Sequence, residues 1–328
     1  MPKMKPSRRI AGLTTSTILV GSLALAPHAL AEPTTPTPEP TPEPNAAPAS
    51  PYSYAAIGDS ATVGGSWFAP MGDLCGRNRT DYPNVLASNT GLQLNETACY
   101  NATTQNYQWT RPAGILNSPN PPQVKAIDKN TRMVTIQLGL RDIVGDGTNS
   151  LLTKCVTAWS KEYTSMVSGQ PTELTGSPCR DVYGKATMKK FDGLQARLAA
   201  IYANAKARTT SDTLVVAVGY APLFNGTKNC WEGQLIPARD RQFYNDIYRK
   251  LNRTIRQAAR QAGVPPFVPS KDLAIRSSCG VPGLRFTSLT GLPEASYPMG
   301  PTVAGQAHIA VTLEQMWKDW TSTHSSLK

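Results

Sequence analysis

The sequence predicts an α/β fold, with a central parallel sheet of about five strands covered by helices on both faces. Two observations carry this. Short apolar runs of strand length recur: "YSYAAIGD" from Tyr52, "ETACYN" from Glu96, "MVTIQLG" from Met133, "TLVVAVG" from Thr213 and "PPFVP" from Pro265. The segments between them space their apolar residues helically, and strands that alternate with helices pair in parallel beneath helical layers. With 328 residues and 40% apolar content, the chain can bury one catalytic-size core plus appendages.

The helices follow in order. Phe191, Leu194, Leu198, Ile201 and Ala205 share one face of a helix before the fourth run, and Phe243, Ile247, Leu251, Ile255 and Ala258 share one face of the next, which Gly263 can end. Arg241, Arg249, Lys250, Arg253, Arg256 and Arg260 are expected on the solvated side of that second helix. In an open parallel sheet, functional groups gather where strands end. The strand ends of interest are Gly58-Asp59-Ser60, Tyr100-Asn101-Ala102 and Gly139-Leu140-Arg141-Asp142. Residues 145–188 read as an insertion over the same rim.

The chain ends have their own composition. Residues 1–31 combine a basic start, an apolar stretch over 10–26 and small residues at Ala29 and Ala31, the pattern of an export signal cleaved after Ala31. A retained membrane helix is the weaker reading, because Thr and Ser interrupt the stretch. Arg8-Arg9 hints at twin-arginine export without completing that pattern. Residues 32–51, "EPTTPTPEPTPEPNAAPASP", read as an extended spacer, either a stalk or an inert linker, and residues 52–328 as the folded domain. Of the net charge of +11, four basic residues lie in the signal and three acids in the spacer, which leaves the domain near +10. That charge admits an anionic wall polymer, lipid or glycan as partner, or a generically basic surface. The export signal and the lack of an aromatic-basic motif argue against nucleic acid.

Six cysteines, Cys75, Cys99, Cys155, Cys179, Cys230 and Cys279, follow the signal, and an even count in an exported chain points to disulfides. Pairing neighbours gives three local loops, although fifteen connectivities are open. With no C-x-x-C and no Cys/His cluster, neither zinc nor another cofactor is expected.

"YAAIGDSATVGG" puts Ser60 in a glycine-aspartate turn after a buried strand, where its hydroxyl is presented for acyl transfer. Further segments follow: "CGRNRTDYPNVLA" from Cys75, "ACYNATT" from Ala98, "MVTIQLGLRDI" from Met133, "CRDVYG" from Cys179, "LNRTIRQAARQAG" from Leu251, Cys279 and "GPTVAGQAHIA" from Gly300. In this order they resemble the SGNH/GDSL hydrolases, specifically the secreted three-disulfide esterases and lipases of actinobacteria. The resemblance spans residues 52–328. It implies a flavodoxin-like three-layer α/β/α fold and the pairings Cys75–Cys99, Cys155–Cys179 and Cys230–Cys279.

Carried over by position, the resemblance makes Ser60 the nucleophile. Asn101 stands where the family has an oxyanion glycine, Arg141 where it has an oxyanion asparagine, and Tyr297 and Gly300 where it has the aspartate and histidine of Asp-x-x-His. The chain has three histidines, and neither His28, His308 nor His324 completes an Asp-x-x-His. His308 falls within the closing helix and is expected to point away from Ser60, and His324 lies in a polar tail. Without a base the Ser60 hydroxyl stays protonated. In subtilisin, loss of the histidine costs roughly 10⁶ in turnover.

The backbone amides of Ser60 and Asn101 and the Arg141 guanidinium remain as donors, so Ser60, Asn101 and Arg141 could form an anion-binding notch. Alternatively Arg141 pairs with Asp59 or Asp142 and fills the vacated pocket, with Asp59 serving the turn. Three functions follow: a catalytically impaired binding or scaffolding module at the cell envelope; an active esterase or acyltransferase on lipid or glycan esters with an unconventional or partner-supplied base; and a purely structural wall protein. In the closing block, Pro301 and Gly305 are expected to shape the entry to the last helix, and Val303, Ala307 and Ile309 to pack it.

Overall fold

The computed structural model describes residues 50–146, 149–167, 176–225, 230–234, 236–269 and 273–324. The expected export signal, with His28, and nearly all of the expected spacer lie outside the described residues. The chain divides into Met1–Ala46 and Ala47–Lys328, and the second unit holds everything below.

The chain opens with β1 (Ser53–Gly58), then α1 (Tyr82–Thr90) and β2 (Gln93–Glu96). A small hairpin, β3 (Arg111–Ala113) and β4 (Ser118–Asn120), precedes β5 (Thr131–Gln137). Four helices follow: α2 (Leu140–Val144), α3 (Leu151–Val167), α4 (Pro178–Lys189) and α5 (Leu194–Ala207). The remainder is β6 (Leu214–Val218), α6 (Ala238–Ala262), β7 (Pro266–Phe267), α7 (Leu273–Arg276), β8 (Thr287–Ser288), β9 (Gly300–Pro301) and α8 (Val303–Thr323). The main sheet has the order β2-β1-β5-β6-β7 with every pair parallel, the flavodoxin-like arrangement expected.

Alternation along the strands sorts side chains between two cores. Ala55, Ile57, Val134, Ile136, Val215 and Ala217 face one core, with α5 and α6. Tyr54, Ala56, Met133, Leu214, Val216 and Val218 face the other, with α1 and α8. This is a three-layer α/β/α fold. The two predicted apolar helix faces are buried throughout. α6 ends at Gly263, whose φ of 66° suits a residue without a β-carbon.

Three expectations are corrected. The second strand lies at Gln93–Glu96 rather than from Glu96 onward. The Gln123 side chain accepts from Gly58 N at 3.0 Å and donates to Gly58 O at 2.9 Å, occupying the β1 edge that a longer partner strand would need. The fifth strand is only Pro266–Phe267, since proline supplies no amide hydrogen to a ladder. Arg241 is buried rather than solvated, and its Nη1 donates to Gly233 O at 2.7 Å.

Residues 145–188 supply α3 and α4 over the rim. The three disulfides are Cys75–Cys99, Cys155–Cys179 and Cys230–Cys279, the pairing that the resemblance implied. Cys155–Cys179 ties α3 to α4 beside Asp240 of α6. That buried side chain accepts from Trp159 Nε1 at 2.8 Å, Ser177 Oγ at 2.9 Å, and the amides of Cys179 and Arg180 at 3.0 Å each, joining three helices at one residue.

Candidate functional site

β1 delivers Ser60 to the carboxyl edge of the sheet through a tight turn. A β-carbon on Gly58 would meet Thr62 Oγ1 at 1.9 Å, so the close return of the chain requires glycine there. Thr62 Oγ1 donates to Gln137 Oε1 at 2.9 Å and Gln137 Nε2 to Gly219 O at 2.7 Å, which fastens the turn across three strands. Asp59 points into the protein: its carboxylate accepts from Ala61 N at 2.9 Å and Tyr220 Oη at 2.7 Å. Burial raises its pKa to about 6, against the opposing Arg141 charge and these hydrogen bonds.

Ser60 Oγ accepts two hydrogen bonds, from Asn101 N at 2.9 Å and from Arg141 Nε at 3.1 Å. Among the described residues no side chain accepts a hydrogen bond from it. Asn101 has φ 65°, a left-handed conformation that asparagine tolerates better than most side chains, so its amide can aim at the serine without glycine. The Asn101 Oδ1 is buried and without a partner among the described residues.

Arg141 sits in the first turn of α2. Its guanidinium lies 5.5 Å from the Tyr100 ring centroid, and Nη1 donates to Gly145 O at 3.4 Å. It forms no ion pair with Asp59 or Asp142. Asp142 instead accepts from Thr104 N at 2.9 Å and lies 3.8 Å from Arg197. The Tyr297 ring packs against Tyr100 at 6.4 Å, and Gly300 lies in β9, paired with Ser288. A cavity of about 210 Å³ opens beside Arg141, walled by Tyr100, Val144, Leu152, Tyr248 and Met299. Of these residues the strand ends in the sequence mark Tyr100 but not Tyr220, Gln137 or Tyr248, although Tyr220 directly follows the fourth strand and its Gly219.

Neither histidine touches Ser60. His308 stacks on Phe286 at 4.4 Å, where burial and the Arg276 charge lower its pKa. His324 stacks on Trp320 at 3.9 Å.

The closing block is held by other residues. Gly305 is required because a β-carbon would lie 2.2 Å from Phe286 O, and Thr302 caps α8 by accepting from Gly305 N at 3.1 Å. Ile309 is buried, but Val303 is exposed rather than packed. Gln306 stitches α8 to the serine turn: its Oε1 accepts from Tyr82 N at 3.1 Å, and Nε2 donates to Ala61 O at 3.0 Å and Gly64 O at 2.6 Å. Arg285 is fully buried between Glu232 at 3.0 Å and Glu294 at 2.7 Å, anchoring the loop that carries Tyr297.

The sequence profile of the GDSL-like lipase/acylhydrolase family matches residues 56–283, more than half of the chain. The chain belongs to this family. It is 26% identical over 321 residues to "Lipase 2" of Streptomyces coelicolor, covering 93% of this chain and 96% of that one. It shares the fold of an extracellular lipase from Streptomyces rimosus, with 21% identity, 80% and 99% coverage and a TM-score of 0.57. A phospholipase A1 from Streptomyces albidoflavus NA297 is similar at 21% identity, 80% and 99% coverage and a TM-score of 0.59. Within this GDSL-like chain, Ser60 lies in the matched region, whereas Tyr297 and Gly300 lie beyond it. No helix among the described residues is long and apolar enough to cross a membrane.

Proposed function

We propose that this GDSL-like protein is an exported, catalytically impaired binding or scaffolding module of the cell envelope, whose Ser60 centre holds an anionic group without efficient turnover. One observation carries the reading: both contacts to Ser60 Oγ are donors, and one of them is a guanidinium. A serine nucleophile needs an acceptor for its proton, and general-base help is worth about 10²–10⁴ in rate. With both lone pairs so occupied, the Ser60 O–H is left as a donor beside the Arg141 charge, which suits a carboxylate, phosphate or sulfate. The adjoining apolar cavity suits a short chain attached to it. Export is supported by the leader pattern of residues 1–31, the three disulfides and the likeness to an extracellular lipase.

The test is calorimetric titration with octanoate and inorganic phosphate, alongside fluorophosphonate labelling of Ser60 at neutral pH. Binding that Arg141→Gln removes, without labelling, supports the module. Stoichiometric labelling, or no anion binding, sinks it. The second reading, an active esterase or acyltransferase on lipid or glycan esters, is favoured by family membership and by the Asn101 amide, which keeps the geometry of an oxyanion donor. Fluorophosphonate labelling discriminates between the two.

A further inference from the structure

Two adjacent chain tips beside the Ser60 cleft project apolar side chains into solvent. The first, residues 66–79, is a narrow ribbon held by Arg79 N to Ala69 O at 2.9 Å and Met71 N to Arg77 O at 3.0 Å. Leu74, 53% exposed, stands at its tip, and Phe68, 87% exposed, lies in the Ser66–Ala69 turn at its base. The second is the β3–β4 tip, with Ile115 at 59% and Leu116 at 69%. The tips are joined by Ile115 N to Leu74 O at 2.8 Å. They are tied to the cleft through Tyr100 N to Cys75 O at 2.9 Å and Trp67 N to Ala295 O at 2.6 Å. Exposed arginines flank both, Arg79 on the ribbon and Arg111 on the hairpin, while the nearby acid, Asp73, is already paired with Arg77 at 3.3 Å.

We propose that this rim is a docking surface for an anionic lipid leaflet. Side chains that project singly from turns insert between head groups without needing a complementary protein face. The two flanking arginines match the negative surface, and each such charge strengthens binding to anionic lipid. Docking needs no chemistry at Ser60, so the inference stands apart from the reading of the site.

The test is co-sedimentation of the protein with vesicles of phosphatidylcholine alone and of equimolar phosphatidylcholine and phosphatidylglycerol. The wild type should bind the anionic vesicles, and Phe68→Ser with Leu116→Ser should weaken binding about tenfold or more. Arg79→Gln with Arg111→Gln should weaken it and flatten its salt dependence, while Arg253→Gln with Arg260→Gln on α6 should leave it unchanged. Phe68 and Leu116 are solvent-facing, and unaltered thermal midpoints check that the variants fold. Equal binding by the apolar variant, loss only in the α6 variant, or a dimer in sedimentation velocity that Phe68→Ser dissolves without vesicle binding would each overturn the proposal.

Discussion

Arg141 Nε donates to Ser60 Oγ at 3.1 Å, and with the Asn101 amide at 2.9 Å it occupies both lone pairs of that hydroxyl. The serine is thus arranged as an acceptor. A cation beside the oxygen would stabilise negative charge there, but it offers nowhere for the departing proton to go. Under the proposed reading, this geometry disfavours hydrolysis and holds an oxyanion through the Ser60 O–H and the Arg141 charge.

Removing the cation should therefore weaken the receptor and leave the fold intact. Arg141→Gln is expected to lower octanoate or phosphate affinity about tenfold or more, the scale of one charge-assisted hydrogen bond. Calorimetry measures the affinity, and an unchanged thermal midpoint shows that the loss is local.

Restoring the family's acid and base is the converse experiment. Tyr297→Asp with Gly300→His and Arg141→Asn should raise nitrophenyl ester turnover by about 10²–10⁴ over the wild type. A β-carbon at residue 300 would lie 3.1 Å from Tyr297 O, so the loop must yield by a few tenths of an ångström. No gain in turnover would mean that the cleft is closed to esters.

Asp59 gives a pH signature. Its carboxyl is raised from 3.8 to about 6 by burial, so the folded chain holds this proton more tightly than the unfolded one. The associated stability is fully present below about pH 4 and is lost as pH rises through about 6, on the order of 3 kcal/mol in all. Asp59→Asn removes that dependence. Its thermal midpoint relative to the wild type should climb between pH 4 and 7, and a flat difference would contradict the assignment.

Gln306 and Arg285 are expected to matter for stability rather than chemistry. Gln306→Ala leaves the buried Tyr82 amide and the Ala61 and Gly64 carbonyls without this partner, at about 2–4 kcal/mol. Arg285→Met strands Glu232 and Glu294, at about 3–5 kcal/mol. Denaturant midpoints read both. Losses below about 1 kcal/mol would contradict the burial argument.

The sheet was legible where buried runs alternate with amphipathic helices, as in β1, β5, β6, α5 and α6, because periodicity reports burial directly. Strand ends were not, since side chains such as Gln123 decide where pairing stops. Helix faces were legible except at Arg241, which a nearby loop captures with its carbonyls. At the site, Ser60, Asn101 and Arg141 were identified from position, and the structure brings these three together. The direction of Arg141 was not legible, because Asp59 and Asp142 are claimed by Tyr220 and Thr104, residues distant in sequence. Gln306, Asp240 and the Arg285 network were missed for the same reason: a polar residue in a sequence carries no sign of whether its partners will be buried with it.

The most direct measurement is turnover of short and medium acyl nitrophenyl esters by the wild type and by Ser60→Ala. If Ser60 lacks a proton acceptor, the two rates coincide near the uncatalysed background from pH 5 to 9. A wild-type rate well above background that Ser60→Ala abolishes would show that a base reaches the serine, and the binding-module account would fall.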